Sequence, residues 1–136
     1  MSNLALPVAV GLGGFVGALA RFYLSSAVSR ISGDDFSFVG TLVVNLTGCF
    51  LIGILATVAL RSDHLSPIME RCLITGLLGS LTTFSTFAID SLNLLMAGRV
   101  GAAAANISIN LIAGLLLVWL GVLTAAAIYD APSAEG

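Results

Sequence analysis

The sequence predicts an all-α membrane protein with four transmembrane helices in each subunit. Of its 136 residues, 58% are hydrophobic and only 9% are charged, whereas soluble domains carry about 25% charged residues. A spanning helix needs about 20 mostly apolar residues. Four such runs cover nearly the whole chain, at roughly 4–29, 36–60, 67–97 and 100–129. We therefore expect residues 1–136 to form a single four-helix transmembrane domain.

The first run contains small residues at a spacing of four, followed by an arginine. Gly13 and Gly17 form one such pair, and pairs of this kind let two helices approach closely in a membrane. Arg21 follows one turn later. Two interpretations of Arg21 remain open. Its side chain could extend to the lipid headgroups, or it could place a positive charge near a vestibule and attract anions.

Polar and small residues occupy one helical face of the second run. Ser37, Thr41, Asn45 and Gly48 recur at spacings of four, four and three, so they point in similar directions. A polar stripe in a membrane must face protein or water. Asn45 is the strongest candidate for a functional residue on this stripe, because its amide offers two N–H donors and one acceptor. It either lines a pore and donates to an anion, or forms a hydrogen bond between helices.

The third run contains the stretch around which we expect the chain to be organised, residues 76–87. Gly76, Gly79 and a series of hydroxyl residues interrupt the leucines there, and such residues weaken a helix locally. Unpaired backbone survives at membrane depth only where it is buried in protein or lines a cavity. The stretch therefore favours a third helix broken near its middle, at an ion site. The alternative is an ordinary helix with a small-residue packing face.

Two phenylalanines follow this stretch at a spacing of three. Phe84 and Phe87 share a helical face, and Ser85 and Thr86 stand between them. The edge of a phenyl ring is electropositive, so ring edges aimed at a path would attract an anion weakly. The alternative is that both rings make ordinary lipid or core contacts.

Neutral polar residues recur in the fourth run as well. Asn106 and Asn110 lie on a narrow face together with Ala102 and Gly114. An ion channel needs binding strong enough for entry and weak enough for exit, which uncharged donors provide. Four helices make a thin bundle, so we expect a second subunit to complete the path. Six neutral residues are expected on inward faces: Thr41, Asn45, Ser85, Thr86, Asn106 and Asn110.

The basic residues are few and almost evenly distributed between the two sides of the membrane. All five are arginines. In the four-span arrangement, three fall on one side of the membrane and two on the other. The excess of Lys and Arg sets membrane orientation, so this balance favours insertion both ways round and pairing of two inverted copies. The alternative is a single orientation set by one arginine. The arginines are Arg21, Arg30, Arg61, Arg71 and Arg99.

Catalysis is not expected from this composition. His64 is the only histidine, and the sequence shows no Ser/His/Asp arrangement, metal-ligand cluster or phosphate-binding loop. Two other classes of protein remain as rivals to a channel. A small cation or drug exporter would need a carboxylate deep in the membrane, and Asp90 stands close to a helix end. A non-transporting scaffold subunit would not need aligned polar stripes.

Three motifs in order resemble the CrcB/Fluc fluoride channels of bacteria. They are the stretches 13–23, 40–48 and 76–87, and the resemblance covers nearly the whole chain. It implies an antiparallel, dual-topology homodimer in the inner membrane. It also implies two fluoride pathways and a sodium ion, structural and not transported, bound at the broken third helices. Such channels let fluoride leave the cell passively.

The resemblance also assigns roles to individual residues. Phe84 and Phe87 are similar to the paired phenylalanines of the pore, and Asn45 to the pore asparagine. The backbone carbonyls of Gly79 and Thr82 are similar to the sodium ligands, two from each subunit. The remaining assignments are Ser85 and Thr86 in the polar track and Arg21 near the vestibule. Some relatives have tyrosine and serine where this chain has Asn106 and Asn110, which leaves the contribution of these two open.

Overall fold

The computed structural model describes residues 4–33, 36–61 and 65–130, and these residues form a helical bundle without strands. Four helical stretches are long and apolar enough to cross a membrane: Ala5–Ser32, Phe38–Arg61, Pro67–Met96 and Val100–Asp130. These bounds lie within three residues of the predicted spans at every end. His64, the only histidine, lies outside the described residues.

The third span is divided into two helices, whereas the others are continuous. Helices α1 (Ala5–Ser32) and α2 (Phe38–Arg61) form the first two spans. In the third span, α3 covers residues 67–81 and α4 covers Phe84–Met96. Helix α5 (Val100–Asp130) forms the fourth span. The residues between α3 and α4 are therefore the place where the backbone leaves the helical path.

Local sequence explains where the two helices of the third span begin and end. Helix α3 begins at Pro67, and the Ser66 side chain accepts a hydrogen bond from the Met69 N–H over 3.3 Å, as is typical of a helix N-terminus. After α4, Gly98 has a φ of +72°. A left-handed residue of this kind ends a helix at little steric cost only when it is glycine.

Two stretches are wound more widely than an α-helix. Arg71–Leu78, inside α3, and Ile109–Ala113, inside α5, are π-helical. Such segments are uncommon and occur often at functional sites. The first leads directly to Gly79, which the family resemblance suggests as a sodium ligand, and the second contains Asn110, which the sequence predicted to face inward.

Helices α1 and α3 pack with their backbones in contact. A methyl group at Gly17 would overlap the carbonyl oxygen of Leu77, and one at Gly13 would overlap that of Cys72. Small residues at helix interfaces allow such close approach in a membrane. The predicted role of this small-residue pair in packing is confirmed.

Helices α2 and α5 pack in the same way. Side-chain methyls at Gly53 and Gly121 would overlap backbone carbonyls of the opposite helix. At the end of this pair of helices, Arg61 Nη1 lies 3.0 Å from Asp130 Oδ1. The glycine contacts fix α5 against α2, and this places Asn110 level with Asn45.

Most of the apolar surface of the chain faces outward. A small core forms around Val44, Leu78 and Leu81, which are at most 5% exposed. Yet only 17–28% of the most apolar window of each span is buried within the chain. This distribution is the reverse of a soluble protein, and it is the distribution expected when lipid or another subunit covers the outer face.

Candidate conduction site

The centre of the site is a pair of threonines with extended backbone. Thr82 has a ψ of 153°, and Thr83 has φ and ψ of −150° and 112°. We call these two residues the junction, because they connect α3 to α4. Thr83 is also the N-cap of α4, since its hydroxyl accepts from the Thr86 N–H over 3.3 Å. The junction leaves backbone groups to be satisfied by other parts of the chain.

Asn45 satisfies both backbone groups of Thr83. The Thr83 N–H donates to Asn45 Oδ1 over 2.9 Å, and Asn45 Nδ2 donates to the Thr83 carbonyl over 3.3 Å. The side-chain amide therefore takes the place of a neighbouring peptide group. Its second N–H donates to Asn110 Oδ1 over 3.1 Å. Of the two interpretations of Asn45, these contacts match the hydrogen bond between helices, and its role toward an anion stays a prediction.

The hydrogen bonds at the junction remove the usual helical donors of the Gly79 and Thr82 carbonyls. In a continuous helix, these carbonyls would accept from the N–H groups of Thr83 and Thr86. Those donors bind Asn45 Oδ1 and Thr83 Oγ1 instead. Two backbone oxygens close to the junction are thereby released from their usual helical partners. Backbone carbonyls at an unwound membrane helix are suitable ligands for a small cation.

A cavity of about 320 Å³ lies on one side of the junction, and we call it the aromatic cavity. The rings of Phe84 and Phe87 lie on its wall, with centroids 5.5 Å apart and planes inclined by 61°. Phe87 is 8% exposed, whereas Phe84 is 76% exposed within one chain. The polar side chains on this wall are Asn45, Thr82, Thr83 and Asn110.

A second cavity, of about 200 Å³, also borders Thr83, and we call it the arginine cavity. Arg21 lies on its wall together with hydroxyl residues of three helices. The arginine has no hydrogen bond or ion pair to any other residue that the structure describes. An anion in this cavity would therefore meet a positive charge surrounded by hydroxyl groups. Those hydroxyl residues are Ser25, Thr41, Thr83 and Thr86.

Three hydroxyl groups are clustered at the start of α4. Thr83 Oγ1 lies 3.3 Å from Ser85 Oγ and 3.1 Å from Thr86 Oγ1. A hydroxyl can rotate and act as donor or acceptor. The cluster can therefore turn its donors toward an anion without moving the backbone.

The predicted site residues are gathered around the junction, with one difference in arrangement. Thr41 borders the arginine cavity and Asn45 the aromatic cavity, although both belong to one predicted stripe. Asn106 is 1% exposed and lies behind Asn110, which donates to it over 3.0 Å. Ser85 is exposed, at the edge of the hydroxyl cluster.

Two contributors were missed by sequence reasoning, Thr83 and Ser91. Thr83 borders both cavities, and its position just before a helical stretch was an available signal of an N-cap. Ser91 accepts from Asn106 Nδ2 over 2.9 Å. A single serine among apolar residues gave no comparable signal.

Comparison with known proteins agrees with these observations. Residues 8–122 match the sequence model of the family described as "CrcB-like protein, Camphor Resistance (CrcB)". The chain is 44% identical to a protein of Hydrogenovibrio crunogenus, over 86% of this chain and 88% of the relative. It is 47% identical to one of Methylobacillus flagellatus, over 82% and 88% of the two chains. Both relatives are named "Fluoride-specific ion channel FluC".

These relatives are channels and not enzymes, which confirms the prediction that this protein is not an enzyme. A further relative of the same name, from Citrifermentans bemidjiense, is 38% identical over 89% of this chain and 97% of its own length. The four apolar spans make the protein a multi-pass membrane protein. With the matched region extending from the first span into the fourth, the chain belongs to the CrcB-like family.

Proposed function

We propose that this protein is a fluoride-selective channel of the cell inner membrane. Fluoride would pass down its gradient, so that a high cytoplasmic concentration drives it out of the cell. The names of the relatives support the choice of ion. The observation that carries the proposal is that two cavities share Thr83, one lined by amide and hydroxyl side chains with two phenylalanines and the other by hydroxyl side chains with Arg21.

The chemistry of the walls favours a small anion over a cation. Arg21 and the hydroxyl groups of the arginine cavity attract and bind negative charge, and the ring edges of Phe84 and Phe87 attract it weakly. Asn45 contributes two N–H groups that already have acceptors. A fluoride that reached Asn45 would replace one of these two acceptors. The Thr83 carbonyl is the easier to replace, because its bond to Asn45 Nδ2 is the longer, at 3.3 Å.

The proposal includes an antiparallel, dual-topology homodimer. The aromatic cavity is open and Phe84 is mostly exposed, so one chain does not enclose a path. A second copy would cover this face, and the balanced arginines favour its inverted insertion. Tags on both termini test this part. Each terminus should be found on both sides of the membrane, and a terminus found on only one side contradicts it.

A structural sodium ion at the dimer centre is also part of the proposal. The described residues contain no group of three or more His, Cys, Asp or Glu side chains that could hold a metal. The released carbonyls of Gly79 and Thr82 fit the oxygen ligands of a hard cation instead. These carbonyls, two from each subunit, would hold the ion, which would supply a fixed positive charge between two broken third helices.

The sodium site can be tested without measuring flux. Replacing sodium by N-methylglucamine in detergent should lower the thermal unfolding temperature of the dimer by several degrees, because a ligand that binds only the folded state stabilises it. Potassium should restore less of the loss than sodium. Equal stability in all three cations would contradict a sodium site at the junction.

Flux from liposomes tests the proposed function itself. Purified protein in vesicles loaded with fluoride should release it rapidly when valinomycin lets potassium follow, and slowly without valinomycin. Chloride under the same conditions should be retained. Proton-coupled cation movement would favour the exporter class, and absence of any flux would favour the scaffold class. Either result would overturn the proposal.

A further inference from the structure

Five hydrogen bonds in series connect the junction to the interior of α4. Asn45 Nδ2 donates to Asn110 Oδ1 over 3.1 Å, and Asn110 Nδ2 donates to Asn106 Oδ1 over 3.0 Å. Asn106 Nδ2 then donates to Ser91 Oγ over 2.9 Å. The series begins at the Thr83 N–H and ends at the Phe87 carbonyl, which accepts from Ser91 Oγ over 2.8 Å. We call this series the amide chain.

The direction of the amide chain is set by one donor. A backbone N–H can only donate, so the Thr83 N–H requires the oxygen of Asn45 to face it. The Asn45 nitrogen must then face Asn110, and the same argument orients Asn110 and Asn106 in turn. Ser91 is the last link in the chain. It must accept from Asn106, and its own O–H must find another acceptor, the Phe87 carbonyl.

The amide chain starts and ends one helical turn apart, at Thr83 and Phe87. Between these ends it passes through α2 and α5, so it fixes the beginning of α4 against two other helices. Ser91 and Asn106 are 6% and 1% exposed, so water does not replace either partner. A buried network of this kind is rigid only when every member is satisfied.

We propose that Ser91 is a positioning residue for conduction, which acts through the amide chain on Asn45 and the junction. This inference rests on the proposed channel function. Without the Ser91 hydroxyl, the buried Asn106 amide has a donor without an acceptor. If Asn106 rotated to avoid this, its nitrogen would face the nitrogen of Asn110, and two donors would meet. Asn110 would then have to rotate as well, and its nitrogen would face that of Asn45. The junction would then lose the side chain that satisfies Thr83.

The test compares two substitutions that delete a buried hydroxyl and preserve shape. Ser91→Ala removes the end of the amide chain. Thr57→Val is the matched control, because Thr57 is also 6% exposed and its hydroxyl donates to the Gly53 carbonyl over 2.8 Å, outside the chain. Fluoride flux and amide hydrogen exchange of the peptide covering residues 82–87 are measured for both. Ser91→Thr, which keeps the hydroxyl, is the rescue variant.

Ser91→Ala should lower fluoride flux by about fivefold, the effect of one lost hydrogen bond, and speed exchange of the peptide. Thr57→Val should change neither, and Ser91→Thr should recover flux and protection. Unchanged exchange or unchanged flux in Ser91→Ala, or an equal loss of flux and of exchange protection in Thr57→Val, would overturn the inference. If the wild-type protein does not conduct, the proposed function is rejected, and the exchange result still shows whether Ser91 acts on the junction.

Discussion

The two cavities that share Thr83 differ in how their polar groups are used. In the aromatic cavity, both N–H groups of Asn45 have protein acceptors, and the amide chain continues from it into the bundle. In the arginine cavity, Arg21 has no ion pair or hydrogen bond with the described residues. The amide donors of Asn45 in the aromatic cavity are therefore bonded within the protein, whereas the Arg21 donors in the arginine cavity remain available to an ion.

In the proposed channel, this difference indicates a division of roles within one path. Groups that are fully paired in a low-dielectric interior hold a fixed geometry. An unpaired cation surrounded by rotatable hydroxyls adapts to an incoming ion at low cost. We infer that changes on the aromatic side affect both structure and flux, whereas changes on the arginine side affect flux alone. The following substitutions test that distinction.

The largest effect is expected from Asn45→Asp. A carboxylate can accept from the Thr83 N–H but cannot donate to the Thr83 carbonyl or to Asn110, and a charge within a membrane helix costs about 3 kcal/mol. It would also repel the anion. Fluoride flux should fall by about a hundredfold or more, with a lower unfolding temperature. Asn93→Asp, at an exposed position, is the control, and near-normal flux in Asn45→Asp would contradict a path at this side chain.

Substitution of the phenylalanines should give the next largest effect. Isoleucine keeps apolar bulk and removes the electropositive ring edge, so Phe84→Ile and Phe87→Ile should each lower flux by about tenfold. Phe87→Ile should also lower stability, by about 1 kcal/mol, because Phe87 is buried within one chain. Phe84→Ile should lower it less, because Phe84 is exposed within one chain and only the second copy would cover it. Flux assays and thermal unfolding separate the two effects. A pair of variants that conduct normally would contradict the pore role of the rings.

The smallest effect is expected from Arg21→Gln. Loss of the charge should lower flux by about threefold, more strongly at low ionic strength, where the attraction of a charge for an anion is less screened. Stability should not change. Arg30→Gln, at an exposed arginine of the same helix, is the control. If both variants reduce flux equally, the position of Arg21 in its cavity has no special importance.

Hydropathy predicted the spans accurately because bilayer thickness sets their length. Periodicity predicted less well which cavity each residue would border. Thr41 and Asn45 share a helical face, but four residues of helix rise about 6 Å. That rise is enough to place them on opposite sides of Thr83. The stripe gave the direction of each side chain and not its depth.

The partners of the polar residues were beyond sequence reasoning. Asn45 lies 38 positions from Thr83 and 65 from Asn110, and no local pattern brings such residues together. Ser91 was missed for the same reason, since its partner Asn106 belongs to the next span. The glycine contacts between helices set these distances, and they depend on the whole bundle.

Fluoride flux through Thr83→Val tests the central claim, that the two cavities form one path through the junction, most directly. Valine keeps the shape of threonine and the backbone groups that Asn45 holds, and it removes the hydroxyl of a residue that borders both cavities and caps α4. The account predicts that flux falls by about tenfold in a folded dimer and that Thr83→Ser recovers it. Wild-type flux in Thr83→Val would contradict a path through the junction.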